Sequence, residues 1–383
     1  MSIPLDYETL RVIWWLLLGL LLIGFAIMDG FDLGTAALLP VVARTDTERR
    51  VAINAIGPVW DGNQVWLILG GGAIFAAWPI VYATAFSGFY IAMFLVLVAL
   101  ILRPVGFEFR NKLPNAAWRS FWDWALVVGG AVPSVVFGVA VGNLLQGVPF
   151  RVDADLRILY EGSGLFELLN PFGLLCGLVS LAMLASHGAA YLALRTSGAV
   201  AERARRVASA LPFVTVVLFV LAGLWIAFGI DGYRIVDGAA AGGPSNPLLK
   251  TVALRRGQWL VNYGERPWLA VAPVLGIAGA MALVAAGRSR KPAIGFIASS
   301  LSVFGIVATA GVSMFPFLLP STLQPGASLT VWDASSSQLT LFVMLLATLI
   351  FLPVVLAYTG WVYRVLRGRI TPAQIEANAH KLY

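Results

Sequence analysis

Apolar windows of eighteen or more residues recur along the whole 383-residue chain, and each is long enough to cross a hydrocarbon core of about 30 Å. Only 12% of the residues are charged, about half the soluble-protein norm of roughly 25%, and 59% are hydrophobic. An ordinary cytosolic globule is excluded. The expected fold is all-α and polytopic, one integral membrane domain over residues 1–383.

Hydropathy and helix breakers together predict nine transmembrane helices, at about 12–38, 53–77, 80–102, 122–144, 166–193, 208–230, 267–287, 293–315 and 337–363. The second is the weakest, because Trp60, Asp61, Asn63 and Gln64 interrupt it. Charge tests the count. With nine spans, eighteen of the 26 Lys and Arg residues fall on one side and eight on the other. Removing the second span would put Arg44, Arg49 and Arg50 opposite the other basic loops. The positive-inside rule then predicts a cytoplasmic C-terminus and an external, periplasmic N-terminus. Five of the eight minority charges belong to a long external loop, 231–266, between spans 6 and 7. A loop of that length is functional or disordered as a rule. Its aromatics Trp259 and Tyr263, with Trp268 just beyond, are expected at the membrane interface.

The start, with Asp6 and Glu8, lacks a basic leader and a following small-residue cleavage site, so the first apolar stretch is expected to remain as a span. The net charge of +7 lies in short clusters between spans, which reads as topology and not as a nucleic-acid surface. Cys176 is the single cysteine, which rules out an intramolecular disulfide and a cysteine-based metal site. No Walker loop, dinucleotide fingerprint, zinc spacing or nucleophile elbow occurs, so the chain carries no signature of independent catalysis.

An ionisable side chain at membrane depth costs about 2.5 to 3.5 kcal/mol on insertion scales, which makes such residues functional candidates. Asp29 and Asp32, in Gly24-Phe-Ala-Ile-Met-Asp-Gly-Phe-Asp-Leu-Gly34, are three apart and share a helix face. Asp61 lies in Gly57-Pro-Val-Trp-Asp-Gly-Asn-Gln-Val-Trp66, at a depth similar to Asp29 on the next span. Carboxylates so placed can form a proton path from the cytoplasm. The competing reading is structural: they pair with Arg103 or cap helix ends broken at Gly57-Pro58 and Gly62. Arg103 and Glu108 flank Pro104 at the expected end of the third span, where an arginine commonly serves as a snorkelling anchor. His187 and His380 are the two histidines, too few for a multi-haem centre; His187 reads as a helix-packing residue or, less simply, as one axial ligand. The polar residues Asp333 to Ser336 are expected to cap the ninth helix.

The stretches Gly24 to Gly34, Gly57 to Trp66, Ser186-His-Gly-Ala-Ala-Tyr191 and Phe315 to Thr340, in that order and spacing, resemble the signatures of subunit II of cytochrome bd-type quinol oxidases. The resemblance covers the whole chain, and Trp60-Asp61-Gly62-Asn63 and Trp332-Asp333-Ala334-Ser335 are its most specific parts. It implies two four-helix bundles plus a peripheral helix, packed against a homologous subunit I in the bacterial inner membrane. It further implies that subunit I carries haem b and haem d, or haem b alone in the cyanide-insensitive branch, together with the quinol site. This chain would be haem-free, would support assembly, and would contribute a proton path for reduction of oxygen to water. A structural quinone here and a small single-span subunit are left open. Within that path Asp61 is expected as the internal carrier and Asp29 and Asp32 as the groups where protons enter, with Trp60 and Asn63 in support. A proton-coupled secondary transporter is the rival reading, although no inverted repeat supports it.

Overall fold

A computed structural model describes residues 3–162, 164–238 and 240–377, so His380 lies outside the described residues. Helices dominate. The first apolar stretch forms α1 (Tyr7–Met28) and α2 (Gly30–Val42), joined at Asp29. Next come α3 (Asp46–Ile56), α4 (Trp60–Ala77), α5 (Pro79–Gly88), α6 (Tyr90–Phe109) and α7 (Ala116–Gln146). The short α8 (Leu165–Leu168) precedes α9 (Pro171–Arg195) and α10 (Gly198–Gly229). The set closes with α11 (Val261–Glu265), α12 (Val271–Arg288), α13 (Pro292–Met314), α14 (Gln338–Val365) and α15 (Pro372–Ala377). The starts follow local chemistry: Asp6, Asn115, Asn170 and Ser337 accept hydrogen bonds from first-turn amides, and α5, α9 and α13 begin at a proline, which has no amide to leave unpaired.

Among the described residues, eight helical segments are long and apolar enough to span a membrane. The α4 helix falls below that mark because its first turns carry Asp61, Asn63 and Gln64. One group packs together through α1 on α4, α2 on α7 and α6 on α7. A second group is formed by α9, α10, α12 and α13, and α9 joins the two by lying against both α7 and α2. The α14 helix touches α1 and α4 and is otherwise exposed, which makes it the peripheral one.

Several local expectations change in the structure. The helix expected from 53 is broken: α3 ends at Ile56, a turn at Gly57-Pro58-Val59 follows, and α4 starts at Trp60. Within the described residues of 231–266, β3 (Asp231–Asp237) and β4 (Thr251–Arg256) form an antiparallel hairpin, after the smaller hairpin of β1 (Phe150–Val152) and β2 (Ile158–Tyr160) and before that of β5 (Phe317–Leu319) and β6 (Leu329–Thr330). Trp259 is buried rather than interfacial, stacking on Tyr233 and donating its indole N–H to the Leu145 carbonyl at 2.8 Å. Last, Ser337 caps α14, while Asp333 accepts from the Thr330 amide and pairs with the buried Lys250 at 2.8 Å. Burial pulls the Lys250 ammonium below its ordinary range, and Asp333 opposes that.

The opposite end holds the basic cluster in ion pairs. Arg110 bonds Asp123 at 2.6 Å and Asp46 at 2.8 Å, and Arg49 reaches Asp123 at 2.6 Å. The turn before α3 closes as a capping box between Thr45 and Glu48, and Glu48 also receives Arg203 at 2.7 Å. The Arg203 bond, with the Arg44 and Thr45 amides, holds the Glu48 carboxyl down at about 2 despite partial burial. A carboxyl lowered in the fold stabilises it above the unfolded value of 4.5 and loses that contribution as the pH falls toward about 2. Glu48→Gln is therefore expected to lower the thermal midpoint of the solubilised complex at neutral pH, with a gap that is constant down to about pH 5 and narrows below about 4.5. A gap independent of pH would refute the Glu48 contribution.

Candidate functional site

The site begins at the α1–α2 junction. Two glycines of the run Gly24 to Gly34 face α9 so closely that a methyl group at Gly34 would fall on the Leu184 carbonyl oxygen, and one at Gly30 would meet the Leu184 side chain. This proximity buries Asp29 and Asp32 completely. Asp29 accepts both terminal nitrogens of Arg103, at 3.0 and 2.8 Å, and both partners of this fork are fully buried. Arg103 was expected to anchor the end of the third span. Instead α6 continues through Pro104 to Phe109, so Arg103 is inside the helix and turned into the protein.

Asp32, one turn on, is held from α4: its Oδ2 accepts the Asn63 side-chain N–H at 2.7 Å, and the Asn63 oxygen accepts the Tyr363 hydroxyl at 2.7 Å. Its Oδ1 is buried with no hydrogen-bond donor among the described residues, as is the hydroxyl of Thr35 on the next turn of α2. Trp60 stacks on Phe107 with centroids 5.4 Å apart, and the Arg103 guanidinium carbon lies 5.8 Å from its ring centre, within cation–π range. One guanidinium thus faces two carboxylates.

Asp61 is not part of this cluster. It lies in the first turn of α4 but is exposed on the surface of the chain, with no ion pair or hydrogen bond to the described residues. Glu108 is likewise exposed. The structure therefore brings together Asp29, Asp32, Arg103, Trp60 and Asn63, and leaves Asp61 and Glu108 outside.

His187 is buried on α9 and both ring nitrogens are engaged. Nε2 lies 2.9 Å from the Ile27 carbonyl, to which it must donate, and Nδ1 lies 2.8 Å from the Ser299 hydroxyl. The ring stacks on Phe296. This is the helix-packing role, and a histidine so committed does not fit an axial haem ligand. No group of three or more His, Cys, Asp or Glu side chains that could hold a metal occurs among the described residues.

Two polar partners, one in this cluster and one in the Arg110 ion pairs, were missed in the sequence. Tyr363, whose hydroxyl donates to Asn63, carries no spacing signal. Asp123, buried between Arg110 and Arg49 at the start of the fourth span, did have one: it is an acidic residue inside a predicted span, the same criterion that selected Asp29.

The family model described as cytochrome bd terminal oxidase subunit II matches residues 10–366. Cytochrome bd-I ubiquinol oxidase subunit 2 of Escherichia coli strain K12 is 52% identical over 379 residues, 99% of this chain and 100% of that protein. A probable cytochrome oxidase subunit 2 of Haemophilus influenzae is 51% identical over the same share of both chains. Cytochrome bd ubiquinol oxidase subunit 2 of Bacillus subtilis is 34% identical over 95% of this chain and 97% of its own length. Among solved structures, a chain of the bd oxidase from Geobacillus thermodenitrificans superposes with a TM-score of 0.67 at 18% identity, covering 93% of this chain and 98% of that one, which establishes a common fold. Matched nearly end to end by sequence and by fold, the chain belongs to the cytochrome bd terminal oxidase subunit II family and is a subunit of a membrane-bound respiratory quinol oxidase complex.

Proposed function

We propose that this chain is the haem-free subunit of a quinol:oxygen oxidoreductase, supporting assembly of a haem-bearing subunit I and contributing a proton path from the cytoplasm. The haems of subunit I, haem b with haem d or haem b alone, supply the oxygen chemistry when bound there. The chain is oriented with its N-terminus periplasmic and its C-terminus cytoplasmic in the bacterial inner membrane, which the distribution of Lys and Arg supports.

The observation that carries the proton reading is the buried Asp32 Oδ1, without a donor beside the Asp29–Arg103 pair. Arg103 balances Asp29, Asn63 holds the other Asp32 oxygen, and the free oxygen is where a proton is taken up and released. Asp32 lies ten residues before the end of α2, roughly 15 Å in from that side at 1.5 Å per residue. The order of roles differs from the sequence expectation: Asp32 is the inner group, and exposed Asp61 is the outer one.

Asp32→Asn retains the shape and an acceptor for Asn63, so the complex is expected to assemble with unchanged haem content. Quinol-driven oxygen consumption should fall on the order of a hundredfold, the lower range for loss of a positioned proton-transfer group. Wild-type turnover in Asp32→Asn would reduce the cluster to a structural ion network. Wild-type turnover in Asp61→Asn alone would remove only Asp61 from the path.

A further inference from the structure

At the basic end, α9, α10, α12 and α13 line an open cavity of about 310 Å³ that shares no residue with the Asp29–Arg103 cluster. Its lining carries four cations, Arg205, Arg290, Lys291 and Arg369, against the single carboxylate of Glu202. Glu202 is already paired with Arg205 along α10. Arg290, Lys291 and Arg369 are exposed and have no ion pair among the described residues.

The three free cations are held in place by backbone. Arg290 takes a left-handed conformation, φ 57°, in the turn between α12 and α13, so that Arg290 and Lys291 follow one another at the rim. Arg369 is strapped against the end of α9 by the neighbouring Ile370 amide, which donates to the Arg195 carbonyl at 2.8 Å. The rest of the lining is mostly apolar and small, with Ala208 and Leu283 buried in it. The α13 helix that forms one side continues outward with Ile294 and Ile297 exposed.

We propose that this cavity binds the phosphodiester headgroup of an anionic phospholipid, with the acyl chains following the exposed apolar face of α13. Guanidinium and ammonium groups form charge-assisted hydrogen bonds with phosphate oxygens, and a basic pocket between spanning helices is the expected form of an anionic-headgroup site. The same cations would also hold a soluble phosphate, but a soluble ion has no use for the adjoining apolar face.

The test is native mass spectrometry of the intact, delipidated oxidase complex titrated with phosphatidylglycerol, phosphatidylcholine or inorganic phosphate. The wild-type complex is expected to take up phosphatidylglycerol at least about tenfold more tightly than phosphatidylcholine, in keeping with three unpaired cations at the membrane surface. Arg290→Glu with Lys291→Glu should abolish that preference, Arg369→Gln should weaken it, and Arg255→Glu with Arg256→Glu, at the other end of the molecule, should leave it intact. Equal preference in the Arg290→Glu, Lys291→Glu complex, or none in the wild type, overturns the site. Displacement of the lipid by inorganic phosphate at equal concentration overturns the lipid and leaves a soluble phosphate as the occupant.

Discussion

Arg103→Leu is expected to abolish accumulation of the assembled complex. The substitution leaves the two Asp29 oxygens without their donors and removes the cation nearest the buried pair Asp29 and Asp32. Breaking a buried ion pair by deleting one partner costs about 3 to 5 kcal/mol, because the remaining charge stays desolvated. Against a typical folding margin of about 5 to 15 kcal/mol, that loss alone is enough to deplete the native state. The effect is specific to the unpaired charge, so Arg103→Leu combined with Asp29→Leu should restore much of the yield. Arg103→Lys should fall between the two, since an ammonium supplies the charge but not the planar fork. Yield and thermal midpoint of the purified complex measure all three. A stable Arg103→Leu complex would show that the pair does not hold α6 to the α1–α2 junction.

The apolar spans were legible because lipid imposes length and hydropathy on every segment that crosses it. What was not legible depends on how helices are turned and where they break. Arg103 was placed at a helix end because Pro104 follows it, yet proline is tolerated within spanning helices when neighbours satisfy the freed carbonyl, and α6 runs on for five further residues. The choice between Asp61 and Asn63 is a matter of period. At 100° per residue these two positions diverge by about 200°, so they cannot both face Asp32. Trp60 and Asn63, three apart, do share a face, and it is that face which meets the cluster. Sequence alone left the rotation of α4 undetermined because both sides of its first turn are polar. The hairpin in 231–266 was hidden for another reason. Tyr233 and Trp259 pack with Phe317, which lies far along the chain from both.

A single methyl group at Gly34 or Gly188 is expected to be nearly as damaging as the loss of Arg103. A Cβ at Gly34 would overlap the Leu184 carbonyl, and one at Gly188 would overlap the Thr35 amide and Gly34. In both cases the obstacle is backbone, which has no alternative rotamer, so α2 and α9 must separate. Close approach through small residues is how spanning helices gain packing energy where lipid offers no hydrophobic drive. Overpacking typically costs about 1 to 3 kcal/mol, and here the separation also stretches the His187 bond to Ile27 and the setting of Asp29 and Asp32. Gly34→Ala and Gly188→Ala should each lower the thermal midpoint of the complex, and Gly34→Val should prevent assembly. Gly19→Ala is the matched control: nothing lies within 4 Å of its added methyl, and alanine is the better helix former by about 1 kcal/mol, so it should be neutral or stabilising. If Gly34→Ala behaves like Gly19→Ala, α2 and α9 are not in backbone contact, and the buried environment of Asp32 that the proton reading needs is lost with that contact.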